Sequence, residues 1–234
     1  MKLRIEVVAL DCLMVRLFDE IAESNMPWML AASENLRAAF AGQLIDLVPS
    51  YTTLMVHYDL NALSPAQARE LIGEALIDLS PNTRSSGQCH VLPVWYDLSV
   101  GPELDLLAKR STLTVDEVIR RHSEREYQVF ALGFAPGFAF MGLVEEALAA
   151  PRLNTPRKKV AAGSVGIAER QTAAYPAVSP GGWNLIGRTP ARLFDRDREG
   201  YSLMQPGDTV RFAAISHAEF INLGGDDTPL EVQA

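Results

Sequence analysis

Between Pro151 and Arg192 the chain carries seven basic residues, Arg152, Arg157, Lys158, Lys159, Arg170, Arg188 and Arg192, against a single acid, Glu169. That is a local balance of +6 in a chain of formal net charge −8, so the remainder carries −14. The cations alternate with turn glycines whose backbone N–H groups can be aimed at a ligand, a combination suited to a small carboxylate or phosphate. Solvated loop charges are the plainer alternative. Arg157 and Lys158 follow Pro156, and paired cations on a turn can converge on one oxyanion. Tyr175 and Asn184 can add neutral hydrogen bonds beside them.

The segment Gly182-Trp-Asn-Leu-Ile-Gly-Arg-Thr189 is one residue from a phosphate-binding P-loop, with Arg188 where Lys belongs. A true P-loop follows a strand and opens a helix. Here Ser179, Pro180 and Gly181 precede the segment and Pro190 follows Thr189, so the expectation is a turn wall in which Arg188 and backbone N–H groups face an anion. Ser164, in Ala-Gly-Ser-Val-Gly, lacks the first glycine of a nucleophile elbow and has no Asp-then-His order behind it. Ser164 and Ser179 are hydroxyl candidates for binding, with a turn hydrogen bond as the plainer role for each. Phe134, Phe138, Phe140 and Trp183 can line a pocket or fill a core. His57, His90, His122 and His217 lack the paired spacing of metal ligands, and no metal site is expected. His57 and His90 fall in expected strands, and His122 ends an expected helix, where an imidazolium meets the C-terminal dipole.

These residues need turns and short strands to present them. Tyr127 to Asp195 holds eight of the sixteen glycines and six of the fourteen prolines, the punctuation of short strands joined by tight turns. Strands are expected at Tyr127–Leu132, Ser164–Ala168, Arg192–Phe194 and Thr209–Ala213, a spacing that suggests a closed or partly closed barrel. Upstream, Leu3–Leu10, Cys12–Phe18, Leu44–Val48, Thr52–Tyr58 and Cys89–Tyr96 read as strands and Pro27–Ala41 as a helix. Ser64, Pro65 and Gln67 mark the start of a second helix with Ala68, Leu71, Ile72, Ala75 and Leu79 as its buried stripe. The polar Ser80–Gln88 reads as a loop. The pattern ββαββαβ resembles a ferredoxin-like α/β sandwich. Two short helices, Pro102–Arg110 and Val115–Ser123, are expected to bridge the domains. The expected class is therefore α+β, with an N-terminal domain over 1–98, a helical bridge over 99–126 and a β-barrel domain over 127–234.

Composition narrows the function classes. With 48% hydrophobic residues in 234 and a sequence pI near 5.0, the chain can bury a sizeable core and has no broad basic face for nucleic acid. No apolar run approaches membrane-spanning length, and the acids Glu6, Asp11 and Asp19 argue against a signal peptide, so no membrane partner is expected. Cys12 and Cys89 have no motif spacing, which fits free thiols in the cytoplasm.

The words LGFAPGFAFMG, TPRKKVAAGSVGIA, YPAVSPGGWNLIGRTP, LFD and QPGDTVRF, with VPSYTTLMVHYD and GPELDLLAKRSTLTVDEVIRRHS upstream, resemble the allophanate hydrolase subunit 1 or Kip-inhibitor family, the carboxyltransferase subdomain C/D. Departures are Ala161 and Ala162 where members often have Pro, and Glu169 with Arg170 where small residues are usual. The resemblance implies a cyclophilin-like β-barrel in the second half. It implies a subunit of an ATP-dependent 5-oxoprolinase, working with a subunit-2-type carboxyltransferase chain and a third lactam-utilisation-type subunit, with ATP shared among them. Inhibition of a sensor histidine kinase, or the carboxyltransferase half of a urea amidolyase, are the alternatives it offers. The family pattern also has a His at the position of His122, near the expected barrel entrance, making His122 a candidate acid or base. On this reading His122, Arg157 and Lys158 are the catalytic candidates. Ser164, Tyr175, Ser179, Gly181, Gly182, Asn184, Arg188 and Thr189 bind the substrate or anion, and Phe134, Phe138, Phe140 and Trp183 line the pocket.

Overall fold

The computed structural model describes residues 3–82 and 87–230. By contact they form two compact units, Met1–Ser86 and Gly87–Ala234. The first holds two hairpins, each followed by a helix: β1 (Arg4–Ala9), β2 (Cys12–Arg16), α1 (Met26–Phe40), β3 (Leu44–Ser50), β4 (Thr53–Tyr58) and α2 (Pro65–Ala75). The hairpins join through β2 and β4 into an antiparallel sheet of order β1-β2-β4-β3. Strict alternation sends Leu13, Val15, Leu54, Val56 and Tyr58 to one fully buried face, and α1 packs on β3, β4 and α2, supplying Met29, Leu36 and Phe40 to the core. The start of α2 is a reciprocal cap. Ser64 Oγ accepts from the Gln67 amide, and Gln67 Oε1 accepts from the Ser64 amide at 3.0 Å, satisfying two N–H groups the helix leaves over.

The ββαββαβ order expected for this unit forms in part. The strands β2 and β3, joined through α1, both run antiparallel to β4 and flank it, which is a split βαβ connection within an antiparallel sheet. The strand at Cys89 does not close it. That strand, β5 (Cys89–Val94), belongs to the second unit, and the division between units falls after Ser86 rather than after residue 98. The Ser80–Gln88 loop lies partly outside the described residues.

The second unit continues with α3 (Leu104–Ser111), α4 (Val115–Glu124), β6 (Glu126–Leu132), β7 (Ala139–Gly142), β8 (Arg157–Val160), β9 (Ser164–Ala168), β10 (Gln171–Ala174), β11 (Ser179–Gly181), β12 (Asn184–Arg188), β13 (Thr209–Ala214) and α5 (His217–Asn222). Among the described residues, seven strands make one mixed sheet of order β12-β9-β10-β7-β6-β13-β5, and β8 pairs with β11 separately. The pair β5–β13 is parallel, which is possible because nearly the whole unit lies between them as the crossover. The sheet then curls until its two ends meet. Just past β5, Trp95 donates to and accepts from Arg188 at the end of β12, both bonds 2.9 Å, leaving the barrel almost closed.

The helices α3 and α4, expected as a bridge, are instead part of this unit: α4 lies on β13 and α3 on β12. Arg192–Phe194 is not a strand, since only Phe194 makes a bridge, to Ser202.

At the seam the strands approach too closely for a side chain. A Cβ on Gly187 would lie 2.7 Å from the Trp95 carbonyl oxygen and 2.9 Å from Val94 Cγ1. Gly187→Ala is therefore expected to destabilise the protein by about 1–3 kcal/mol through overpacking, read as a lower Tm in thermal denaturation.

Candidate functional site

The loop between β6 and β7, the segment before β8, and the β10–β12 turns converge on an aromatic pocket of about 90 Å³ lined by Phe134, Phe138, Phe140, Arg152, Tyr175, Pro180, Gly181, Gly182 and Trp183. Its frame is edge-on aromatic packing around Phe138: Tyr175 at 5.3 Å and 83°, Trp183 at 5.7 Å and 88°, Phe140 at 4.9 Å and 60° between ring centroids and planes. Such geometry places ring edges against ring faces and holds each ring in place. Gly181 lies directly against the Tyr175 ring, where a Cβ would sit 2.3 Å from the phenol oxygen. Phe134 is 65% exposed at the mouth and holds a left-handed backbone, φ 69°, a conformation uncommon for a bulky residue and found where surrounding structure imposes it. Arg152 sits with Cζ 6.0 Å from the Trp183 ring centre, a cation–π contact. Burial pushes the Tyr175 phenol up from its usual range, so at neutral pH it is a neutral hydrogen-bonding group.

A second cavity, of about 270 Å³, shares no lining residue with the first and is bordered by Lys159, Ala161, Ala162, Val178, Arg188, Asp226, Thr228, Pro229 and Leu230. Arg188 is 1% exposed and uses Nη1 to donate to the backbone oxygens of Asp226 at 2.6 Å and Thr228 at 2.8 Å.

Of the remaining expected site residues, Arg157, Asn184 and Thr189 have structural duties. Arg157 is not free for a ligand: its guanidinium pairs with Glu103, and its Nη1 also reaches the Trp183 carbonyl at 3.4 Å. Glu103 Oε2 in turn accepts from the Leu185 amide at 2.9 Å, so one nearly buried ion pair ties the start of α3 to β8 and β12. Lys158 points to solvent on β8. The two neighbours on the TPRKK stretch therefore face different surroundings, as alternation in a strand requires. Asn184 Nδ2 donates to Pro151 O and Ile167 O, and Thr189 bonds through its amide to Gly163 O and through Oγ1 to the Ala191 amide. Ser179, on β11 opposite Val160, and Ser164, on β9 opposite Arg188, both have a buried Oγ without a partner among the described residues.

His122 is a correction. It does not stand at a barrel entrance but is completely buried, stacked on Phe212 with centroids 4.6 Å apart. Its Nδ1 is 2.7 Å from Tyr96 Oη and its Nε2 2.9 Å from Thr172 Oγ1, while Thr172 Oγ1 is 3.1 Å from Gly166 O. Counting donors assigns the chain: the threonine hydroxyl donates to the carbonyl, Nε2–H donates to the threonine, and Nδ1 accepts from the tyrosine. Burial pulls the imidazole down to about 3, so it stays neutral and works as a satisfied core node rather than an acid or base.

The other histidines pair with acids: His57 with Asp11 at 3.1 Å, His90 with Asp208 at 2.9 Å, and His217 with Asp227 at 2.9 Å. In the first unit, cross-strand pairing of Cys12 with His57 brings Asp11, Cys12 and His57 donor atoms within 4.8 Å of one another. Linear spacing concealed that cluster, because its members come from adjacent strands 45 residues apart. Two of its three donors are already used by the Asp11–His57 bond.

A mixed α/β chain with a nearly closed barrel and a small aromatic pocket carrying one cation is a frame for binding a small molecule. The family model for the carboxyltransferase domain, subdomain C and D, matches residues 3–204, and the chain belongs to that family. It is 35% identical over 227 residues to the B-type subunit of 5-oxoprolinase from Bacillus subtilis (strain 168), covering 93% of this chain and 95% of the relative. Among solved structures it resembles that of TTHA0988, with 36% identity and a TM-score of 0.76 over 88% of this chain. The Kluyveromyces lactis urea carboxylase shares the fold, with 14% identity and a TM-score of 0.75 over 97% of this chain. The chain spans 40% of the TTHA0988 chain and 23% of the urea carboxylase chain.

Two measurements check the structural assignments. In the unfolded chain His122 titrates near 6.5, whereas in the fold it stays neutral down to about 3. Between those values the unfolded state takes up a proton that the folded state refuses, so stability falls as pH drops from 6.5 towards 3, by up to about 1.4 kcal/mol per unit from this group. Urea midpoints measured at pH 6.5 and 5 should therefore fall less in His122→Gln than in the unaltered protein. Glu103→Ala, by leaving Arg157 nearly buried and unpaired, is expected to cost about 3–5 kcal/mol in the same denaturation experiment.

Proposed function

We propose that this chain is the B-type subunit of an ATP-dependent 5-oxoprolinase, opening the lactam of 5-oxoproline to glutamate together with a subunit-2-type carboxyltransferase chain and a third lactam-utilisation-type subunit in the cytoplasm. The likeness to the Bacillus subtilis 5-oxoprolinase chain supports this over nearly the full length of both proteins. The observation that carries it in the structure is the aromatic pocket with Arg152 at its edge. 5-Oxoproline is a small apolar ring bearing one carboxylate and one neutral amide. Ring faces of Phe138, Phe140 and Trp183 suit its methylenes, Arg152 suits the carboxylate, and the neutral Tyr175 phenol suits the lactam.

The pocket's size limits what this chain does alone. At about 90 Å³ it is far below the roughly 300–1,000 Å³ of sites that enclose a drug-sized ligand. This pocket does not enclose a nucleotide, which on this reading is held largely by partner subunits. In the overall reaction the γ-phosphoryl group of ATP passes to the lactam oxygen and water adds at the activated carbon. The ring C–N bond then breaks with protonation of nitrogen and loss of phosphate, leaving glutamate, ADP and phosphate. This chain's part is to orient the ring and neutralise its carboxylate.

Purified companion subunits are expected to convert 5-oxoproline to glutamate with ATP only when this chain is added. Arg152→Ala in the assembled enzyme should raise KM for 5-oxoproline about tenfold or more while leaving the Tm of this chain nearly unchanged. Assembly without lactam opening would overturn the substrate and favour the carboxyltransferase half of a urea amidolyase. Failure to assemble would favour the kinase-inhibitor reading.

A further inference from the structure

The second cavity holds a cation whose hydrogen bonds are only partly used. Arg188 is 1% exposed, and its Nε and Nη2 have no partner among the described residues, whereas its Nη1 is spent on two carbonyls. Native interiors leave few buried polar groups unpaired, and charged ones least of all. The unpaired atoms are not scattered. Nε and Nη2 form one edge of the planar guanidinium, with their N–H bonds parallel, which is the fork that grips two oxygens of a carboxylate or phosphate at once.

The surroundings repeat the signal. Ser164 is Arg188's register partner across β9 and β12, so both side chains leave the sheet on one face, and the Ser164 hydroxyl is also completely buried without a partner among the described residues. Lys159 adds a second cation to the cavity lining. The two nearest acids are engaged elsewhere: the Asp226 carboxylate accepts from the Thr228 amide at 3.0 Å, and Asp227 pairs with His217 at 2.9 Å. Burial pushes Arg188 down from its usual range and the charges of Asp226 and Asp227 push it back up, leaving a guanidinium that keeps its charge.

We infer that this cavity is a second ligand site, distinct from the aromatic pocket, for a small oxyanion gripped by the Nε–Nη2 edge of Arg188, with Lys159 as a supporting donor. Its apolar lining, Ala162, Val178 and Leu230, suits an anion carried on a compact organic body as well as a bare phosphate. The inference does not depend on the proposed reaction, because it rests on geometry within this chain.

The test uses the full chain alone, carrying Arg152→Ala so that the aromatic pocket does not contribute. It is titrated calorimetrically with inorganic phosphate, 5-oxoproline and glutamate at matched ionic strength in chloride. Saturable binding of one of them, with a rise in Tm, is expected. Phosphate alone would mark the source as a phosphoryl group, and 5-oxoproline or glutamate alone as a carboxylate. Arg188→Lys, which keeps the charge but loses the fork, should weaken binding about tenfold or more. Binding by none of the three, or unchanged binding in a folded Arg188→Lys, overturns the site. Should that variant not fold, Val178→Trp, at an exposed position on the lining, is expected to block the cavity and abolish binding, and retained binding would overturn the proposal equally.

Discussion

The second unit depends on two hydrogen bonds, those that Trp95 and Arg188 exchange where the ends of the sheet meet. Without them the sheet would have two open edges, β5 and β12, each presenting unpaired backbone groups. With them, both faces of β12 and β9 can be covered, and every residue of those two strands is buried. The closure also explains the glycine at 187, because the strands cross within a Cβ radius there. The same residue that closes the backbone carries the buried guanidinium. Structure and the proposed binding chemistry are therefore joined at one position on the chain.

The sequence is legible where local signals act alone. The cap at Ser64 and Gln67 is present as the residues imply, the helices near 104–111 and 115–124 fall within two residues of expectation, and β9 spans Ser164–Ala168 as read. It is illegible where distant residues decide. Cys89–Val94 has the composition of any strand, and nothing local says that its neighbour is β13, more than a hundred residues on. Short strands such as β8, β10, β11 and β12 carry no resolvable period over three to five residues, so they read as loops. The helix α5 does carry a local start signal, the box at Ser216 and Glu219, but its six residues are too few to show a helical stripe.

For the site, glycine and aromatic density proves more informative than charge. Seven residues singled out in the sequence, Phe134, Phe138, Phe140, Tyr175, Gly181, Gly182 and Trp183, converge on one pocket. The basic island disperses: Arg157 into an ion pair, Lys158 into solvent, Arg188 into a separate cavity and Arg152 to the aromatic rim. Charge counts show that cations are near in sequence, while strand alternation and burial decide which way each one points. His122 misleads for a related reason. A histidine at a helix end can cap the dipole, face a ligand or turn inward, and only the Tyr96 and Thr172 partners on other elements fix the third outcome.

The Glu103–Arg157 pair has a consequence for how this chain can change over time. Glu103 serves two masters, the Arg157 guanidinium and the Leu185 amide. Losing either charge alone strands the other nearly buried, so the two positions are coupled rather than additive. Substitutions there should be inherited together or not at all. Among chains that share this barrel, positions 103 and 157 are then expected to vary as a matched pair, charged in both or apolar in both, even though they lie on different elements and neither faces the aromatic pocket.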